Sequence, residues 1–343
     1  MHPAETAFTA MRYLAALVEL LQEQGIDRDE LLLQTGITVG QLSDPLAYAS
    51  RKQIEQLVNR AILLTGNDSL GLALGQKLNI SAHGSLGIAG LTAPTFGAAL
   101  KVAIDYFPLI TTLVAPNLQT SGSTTAIELV PLATLHPDSE TFLVQTLLGS
   151  TVLMADFQLG KYATTISLEL AWPENEKLRQ ALDARGHRQL KFNTARHRVL
   201  FPSQLLQQPF PLADRQTHDA AVKRCRQELQ QLDAQRSLAE RIYQQLVRQD
   251  NLPDMEQLAD TLGISSRSLR RRLEAEGWRY RELCNKARIN RAKQLLSDDG
   301  LSITSVAYQL GYRDSANFSR SFRRETGQAP SEFQKQKKEK QEH

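Results

Sequence analysis

One pattern of apolar residues and glycines occurs twice in the last third of the 343-residue chain, and this repeat constrains the fold more than any other feature. In the second copy Ile303, Val306, Ala307 and Leu310 recur at three- and four-residue steps, the apolar face of a short helix. Gly311 ends that helix, because glycine accepts the left-handed backbone that a helix stop requires. Asp314 can cap a second helix by accepting a hydrogen bond from its orphan amides. There Phe318 and Phe322 sit four apart and face the first helix, and Gly327 and Pro330 stop it. In the first copy Leu258, Ala259, Leu262, Gly263, Leu269, Leu273 and Gly277 match Val306, Ala307, Leu310, Gly311, Phe318, Phe322 and Gly327. The offset is 48 residues up to the first glycine, 49 through the second helix and 50 at its end. Seven positions in step, with two single-residue slips, indicate an internal duplication. Two short helices, a glycine turn and a polar, basic second helix describe a helix-turn-helix.

Specific DNA binding needs charges that neutralise phosphate and side chains that reach base edges. Leu269 and Leu273 are committed to a core by their match with the two phenylalanines, so Arg267, Arg270 and Arg271 project away from it. Arginine's planar fork can pair with guanine O6 and N7, worth about 1–3 kcal/mol per good contact. The alternative for any one arginine is a phosphate anchor that carries no sequence information. The second copy is less charged: Ser315, Ala316, Ser319 and Arg320 occupy the corresponding face, with Arg323 beyond them. Arg320 is expected to read or anchor, and Ser315 and Ser319 to bond a phosphate or a base. Between the copies, residues 280–297 read as one helix with Leu283, Ala287, Leu295 and Leu296 inward. Eighteen residues at ~1.5 Å each span about 27 Å, near the ~34 Å repeat of the major groove. Such a strut would set two recognition helices into successive grooves. Arg281, Arg288 and Lys293 on it are either phosphate contacts or surface charge.

The run 303–330, I-x-x-V-A-x-x-x-G-Y-x-D-x-A-N-F-x-R-x-F-R-R-x-x-G-x-x-P, resembles the signature of AraC/XylS-type transcription regulators. The resemblance covers about the last 100 residues of the chain. Ala329 stands where Ser or Thr is common in the family, and Gln334 where a basic residue is common; neither position touches a base in the family picture. The resemblance implies base contacts from Arg267, Arg270 and Arg271. It also implies double-stranded promoter DNA and RNA polymerase as partners, with activation the usual outcome. Less specifically, the regions 84–107 and 192–210 resemble the long sensor domain of the ornithine-utilisation and VirS-like subgroup. That likeness implies effector sensing and homodimerisation.

The net charge of +3 conceals an asymmetry. From Ala234 onward there are 21 Lys and Arg against 15 Asp and Glu; before it the count is 19 against 22. Positive charge is therefore concentrated where phosphate must be met. No apolar run approaches the ~18 residues of a membrane helix, and the start Met-His-Pro-Ala-Glu lacks the basic and apolar regions of a secretory signal. Cys225 and Cys284 have no Cys or His at ligand spacing, which argues against zinc and fits a reducing compartment. The expected location is the cytoplasm, with no metal and no cofactor. The seven histidines form no H-E-x-x-H or H-x-x-x-H pattern, and neither a Gly-x-Ser-x-Gly elbow nor a dinucleotide fingerprint is present. An enzyme is not expected.

Along the N-terminal half, Phe8, Met11, Leu14, Leu17, Val18 and Leu21 mark an amphipathic helix that stops at Gly25. Shorter helices are expected at 27–35, 38–42, 51–65 and 70–78. Gly84, Gly87, Gly90 and Gly97 then read as a glycine-punctuated turn region before a helix at 96–107; no Gly-Lys-Ser/Thr follows, so this is not a phosphate loop. Strands are expected at 109–115 and 124–132 about a turn at Gly122. A long apolar helix at 139–160 should pack across the sheet. A strand at 164–171, a helix at 174–184 and short strands at 189–192 and 198–201 complete the domain. The thin apolar stripe of Val222, Cys225 and Leu229 on the polar helix 214–232 fits a linker or a dimer-contact helix.

The reading is thus an α+β N-terminal domain plus an all-α C-terminal domain with two helix-turn-helix units joined by a linker helix. Residues 1–212 form the effector-sensing and dimerisation domain and 213–235 a linker helix. Residues 236–334 form the DNA-binding domain, opening with Leu238, Ile242, Leu246 and Val247, and 335–343 a disordered tail. The small-molecule effector is expected to be a carboxylate or fatty acyl compound, because glycines beside an apolar helix leave room. Two alternatives remain open at this level: a non-specific architectural DNA-binding protein, and a dimeric regulator without a ligand.

Overall fold

Apolar residues at helical spacing between Met11 and Leu21 give the first long helix of the computed structural model. The structure describes residues 8–133, 135–183, 188–234, 236–247, 252–296 and 301–341, with backbone only for Gln294 and 336–341. Strand β1 (Phe8–Ala10) leads into α1 (Met11–Glu23), whose Met11, Leu14, Leu17, Val18 and Leu21 are buried. Helices α2 (Arg28–Leu32) and α3 (Val39–Ser43) follow, then β2 (Tyr48–Ser50), antiparallel to β1, and α4 (Arg51–Thr65). Asp27, Thr38 and Ser50 cap these three helices by accepting from the amides of Glu30, Gln41 and Gln53.

Next come α5 (Leu70–Lys77), α6 (Gly84–Leu91) and α7 (Phe96–Asp105). Helix α6 corrects the expectation of a glycine-punctuated turn there. One of its glycines serves close packing: a Cβ at Gly87 would lie 2.0 Å from the Ile80 carbonyl oxygen, so only glycine fits there. The hairpin β3 (Val114–Ser121) and β4 (Thr124–Pro131) turns at Gly122, as expected. The first strand is displaced from the predicted 109–115, however. The apolar signal at Phe107 and Leu109 belongs to a buried 3-10 turn, and the second half of β3, Leu118–Ser121, is exposed at the sheet edge.

After α8 (Pro137–Leu159) come β5 (Ser167–Glu169), α9 (Glu176–Leu182), β6 (Gln189–Lys191) and β7 (Arg198–Pro202). Five strands pair in the order β3-β4-β7-β5-β6, antiparallel except for β5 with β6. Helix α8 packs chiefly on α5 rather than simply across the sheet. Glycines allow that approach: a Cβ at Gly71 would lie 2.2 Å from the Phe142 carbonyl oxygen, and one at Gly75 2.4 Å from that of Thr146. By length and composition α8 comes nearer to a membrane span than the sequence reading allowed, but most of it is buried inside the unit. The polar helix α10 (Arg215–Ala234) buries Ala221, Cys225 and Leu232 in a cluster with Leu86, Ala89, Val102 and Leu109; of the expected stripe only Cys225 is fully buried, with Val222 and Leu229 packed at the edge.

Contacts gather the chain into two units that change over after Leu232, the second also holding the short segments Ala171–Pro173 and Asn193–Arg196. In the second unit, α11 (Leu238–Leu246), α12 (Met255–Thr261) and α13 (Ser266–Ala275) precede α14 (Tyr280–Leu295). Then follow α15 (Ile303–Gln309), α16 (Ser315–Thr326) and α17 (Pro330–Gln341). Helix α17 continues through most of the segment read as a disordered tail from 335; its Phe333 stacks edge-on against Phe322 at 5.6 Å, so the helix is anchored before the charged run begins.

Candidate nucleic-acid interface

The duplicated pattern builds two cores that share one helix. Leu258, Ala259, Leu269 and Leu273 are buried with Leu238, Ile242, Leu246, Leu283 and Ala287. Val306, Ala307, Phe318 and Phe322 are buried with Ile289, Ala292, Leu295 and Leu296. The first half of α14 therefore closes one core and its second half the other. That is why α14 shows no single apolar stripe: successive turns face different partners. Its sixteen residues span about 24 Å at ~1.5 Å each.

The turns of the two units also match in backbone detail. Gly263 and Gly311 have φ of 65° and 75°, in the left-handed region where a side chain would be strained. Ile264 N–H donates to the Ala259 carbonyl and Tyr312 N–H to the Ala307 carbonyl, each at 3.0 Å. The two sequence slips now have locations. One extra residue lies in the second turn, because Ser265 caps α13 two residues after Gly263 while Asp314 caps α16 three residues after Gly311. The other lengthens α16 before Gly327.

On α13, the angular step of about 100° per residue puts Arg267, Arg270 and Arg271 within one arc of roughly 100°, opposite the two leucines. All three are exposed, and none makes an ion pair or side-chain hydrogen bond among the described residues. Three unpaired guanidinium groups on one face repel each other, so the face is primed for an anionic partner. Ser265 caps the helix with its hydroxyl, accepting from the Ser268 amide at 3.2 Å, and the positive end of the helix adds to the same field.

The equivalent positions of α16 differ. Ala316 and Ser319 stand where α13 has Arg267 and Arg270, and Arg320 matches Arg271. Arg320 is exposed but tethered, donating to the Asn317 side-chain oxygen at 2.6 Å. Asn317 in turn donates through its side-chain and backbone nitrogens to Asp314, both at 2.6 Å. Ser315 and Ser319 are half-buried, Ala316 is exposed, and Arg323 is exposed without a described partner. The sequence reading missed Asn317 as the residue that holds Arg320, although an Asn three residues after an Asp cap is the available signal.

It also missed a polar hub on α14. The Asn285 side-chain oxygen accepts from Ser321 at 2.7 Å and from Tyr312 at 3.1 Å, and its nitrogen donates to Glu325 at 3.2 Å. Lys286 pairs with Glu325 at 3.5 Å and lies over the Trp278 ring, 5.5 Å from its centroid. The hub fixes the rotation of α16 about α14, and so decides which side chains α16 presents outward.

Comparisons with known proteins find relatives among transcription regulators. Residues 25–210 match the family model described as the arabinose-binding N-terminal domain of AraC transcription regulators, and residues 258–336 match a helix-turn-helix domain model. The chain is 31% identical over 325 residues to the ornithine utilization regulator of Pseudomonas aeruginosa, covering 94% of each chain. It is 30% identical over 323 residues to an uncharacterized HTH-type transcriptional regulator of Mycobacterium bovis, covering 92% of this chain and 93% of the other. The crystal structure of the transcriptional regulator CdpR from Pseudomonas aeruginosa aligns with a TM-score of 0.40 and 26% identity, over 80% of this chain and 89% of that one. These relatives are transcription regulators, not enzymes.

Proposed function

Because the chain belongs to the AraC family of transcription regulators, we propose that it is a sequence-specific, effector-responsive activator that binds promoter DNA through α13 and α16 in successive major grooves. The observation that carries this reading is the trio Arg267, Arg270 and Arg271, exposed and without described partners on the face of α13 opposite its core. Arg271 and its neighbours read base edges, while Ser315, Ser319, Arg320 and Arg323 of the second unit contact phosphate or a base. The protein works in the cytoplasm as a homodimer, each subunit spanning two groove faces, and recruits RNA polymerase.

In this reading, effector sensing and dimerisation belong to residues 1–212, the link to 213–235, and DNA recognition to 236–334. The effector is a small molecule of carboxylate or fatty acyl type. The test is to select sites from a random-sequence DNA pool with the full-length protein and footprint the winners. Two protected patches one helical turn apart are the expected result. Equal binding to scrambled DNA would leave a non-specific architectural protein instead.

A further inference from the structure

The N-terminal unit encloses a cavity of about 210 Å³ bordered by α1, α6, α7 and α8 and by Ile127, Val199 and Phe201 of the sheet. It is larger than the ~150 Å³ apolar void that stays dry and admits benzene. Its wall is almost wholly hydrocarbon, with Leu86, Leu100 and Met154 among the lining side chains. Gly90 marks the boundary of the empty space. It is buried, yet a Cβ added there would meet no atom within 4 Å.

Polar groups gather at one place on this wall. Tyr13 Oη lies 3.0 Å from His83 Nδ1, and His83 Nε2 lies 3.2 Å from Ser150 Oγ. Burial, and then the Arg12 guanidinium, push the His83 imidazole down to about 4, so the ring is neutral near pH 7. Two hydroxyls and one neutral ring carry three protons, and the two bonds use two of them. Whichever tautomer forms, one hydroxyl proton is left over as a donor. Further along α8, Gln158 lines the cavity with its buried Nε2 unpaired. Arg12 does not line the cavity, but it stands close enough behind the His83 corner for its charge to act on that ring. Surplus donors on the wall, with the Arg12 charge acting from behind it, favour an acceptor that carries negative charge. A sugar, with hydroxyls around its whole ring, would leave most of them against hydrocarbon.

Helix α6 has the cavity on one side, through Leu86, Gly87 and Gly90, and α10 on the other. The Ala89 carbonyl accepts from His218 Nδ1 at 2.8 Å, and Ser85 donates to Glu228 at 2.8 Å. Anything that fills the cavity therefore bears on the helix to which α10 is bonded, and α10 is the segment from which the chain continues into the DNA-binding unit.

We propose that this cavity is the effector site, that it takes a mainly hydrocarbon molecule ending in one carboxylate, and that occupancy is transmitted through α6 to α10. This rests on the effector-responsive reading above, narrows its ligand to a hydrocarbon body with a single carboxylate, and adds the site and the path. A ligand shifts the protein only by binding its two states differently, and the seat of α10 on α6 is what differs between them.

The test uses the full-length protein, decanoate, decanol and arabinose as probes, and a DNA site selected from a random pool. Calorimetry should show decanoate binding at least about tenfold tighter than decanol, and no binding of arabinose. Decanoate should change DNA affinity by about fivefold or more. Gly90→Leu fills the void from a position with room for a side chain; it should keep the melting temperature and lose decanoate binding by more than about tenfold. His218→Ala should still bind decanoate but lose its effect on DNA affinity. Should the leucine variant prove unfolded, Gly90→Ala, which adds a single methyl to the same space, should weaken decanoate binding measurably.

Gly90→Leu protein that binds and responds as the wild type does would overturn the site while leaving an effector-responsive regulator standing. Arabinose displacing decanoate would overturn the ligand class. Decanoate binding that is lost in Gly90→Leu, yet never alters DNA affinity, would sustain the cavity assignment and sink both the path through α6 and the effector-responsive reading.

Discussion

The two helix-turn-helix units have the same interior and different exteriors. Their buried positions correspond one for one, Leu258 with Val306, Ala259 with Ala307, Leu269 with Phe318 and Leu273 with Phe322, all at 1% exposure or less. Outside, α13 presents Arg267, Arg270 and Arg271 without described partners, whereas α16 presents Ala316, Ser319 and an Arg320 held by Asn317. Burial forces each core position to stay apolar, even where Leu269 and Leu273 give way to the larger Phe318 and Phe322, while nothing forces a solvent-facing side chain to do so. The contrast teaches that a duplicated fold need not be a duplicated reader. The first unit carries unpaired charge on its outer face, and the second has its outer arginine and its helix held in place by side-chain hydrogen bonds.

The largest effects should fall on the interior the two units share. Phe318→Ala removes a ring in contact with both Phe322 and Tyr312, and should cost about 3–5 kcal/mol of stability. Leu273→Ala in the first unit should cost about 2–5 kcal/mol. Urea titration followed by circular dichroism would check both. An unchanged midpoint for either would break the equivalence of the two cores.

Next in size is the polar hub of the second unit. Asn285→Ala strips Ser321, Tyr312 and Glu325 of a common partner, and the groups left half-satisfied should cost about 1–3 kcal/mol. Leu at the same site would fare no better, because the neighbours would stay polar. If Asn285→Ala melts like the wild type, the orientation of α16 is set by the phenylalanines alone.

How much of this was legible beforehand follows from the same division. The cores and their turn glycines could be read because burial imposes a period on the sequence, and Gly263 and Gly311 appeared as breaks in it. Asn285 could not be read: a polar residue on a helix gives no sign of which neighbours it will meet. Helix α6 was misread because Gly87 answers to a carbonyl from Ile80 that only the folded chain brings near. Helix α8 was placed correctly, but its partner α5 was not, since the contact is made by Gly71 and Gly75, which carry no apolar signal of their own. In the interface, Arg267, Arg270 and Arg271 were legible as a face from spacing. That Arg320 is tethered through Asn317 to Asp314 was not.

Recognition offers a subtler way to sharpen the comparison. Arg271→Ala should weaken binding to the selected site by about 1–3 kcal/mol and relax preference at one or two base pairs. Arg320→Ala, at the matching position, gives up a side chain already committed in part to Asn317, and its loss should lie at or below the low end of that range. Competition binding against single-base variants of the site would compare the two. Equal and sequence-blind losses would show that both arginines meet only phosphate, and the distinction between reader and anchor would fall.

The smallest effect is the most diagnostic of the second unit's role. Arg323 is exposed on α16 without a described partner, so Arg323→Ala should leave both stability and base preference alone. If the side chain neutralises one phosphate, the slope of log affinity against log salt should become shallower by about 0.9. Below about 100 mM salt the variant then binds visibly less well, and the deficit closes as salt rises and screening removes what the charge contributed. A slope that does not move would mean that Arg323 faces solvent in the complex. The grip of the second unit on the backbone would then have to come from Arg320 and the serines that flank it.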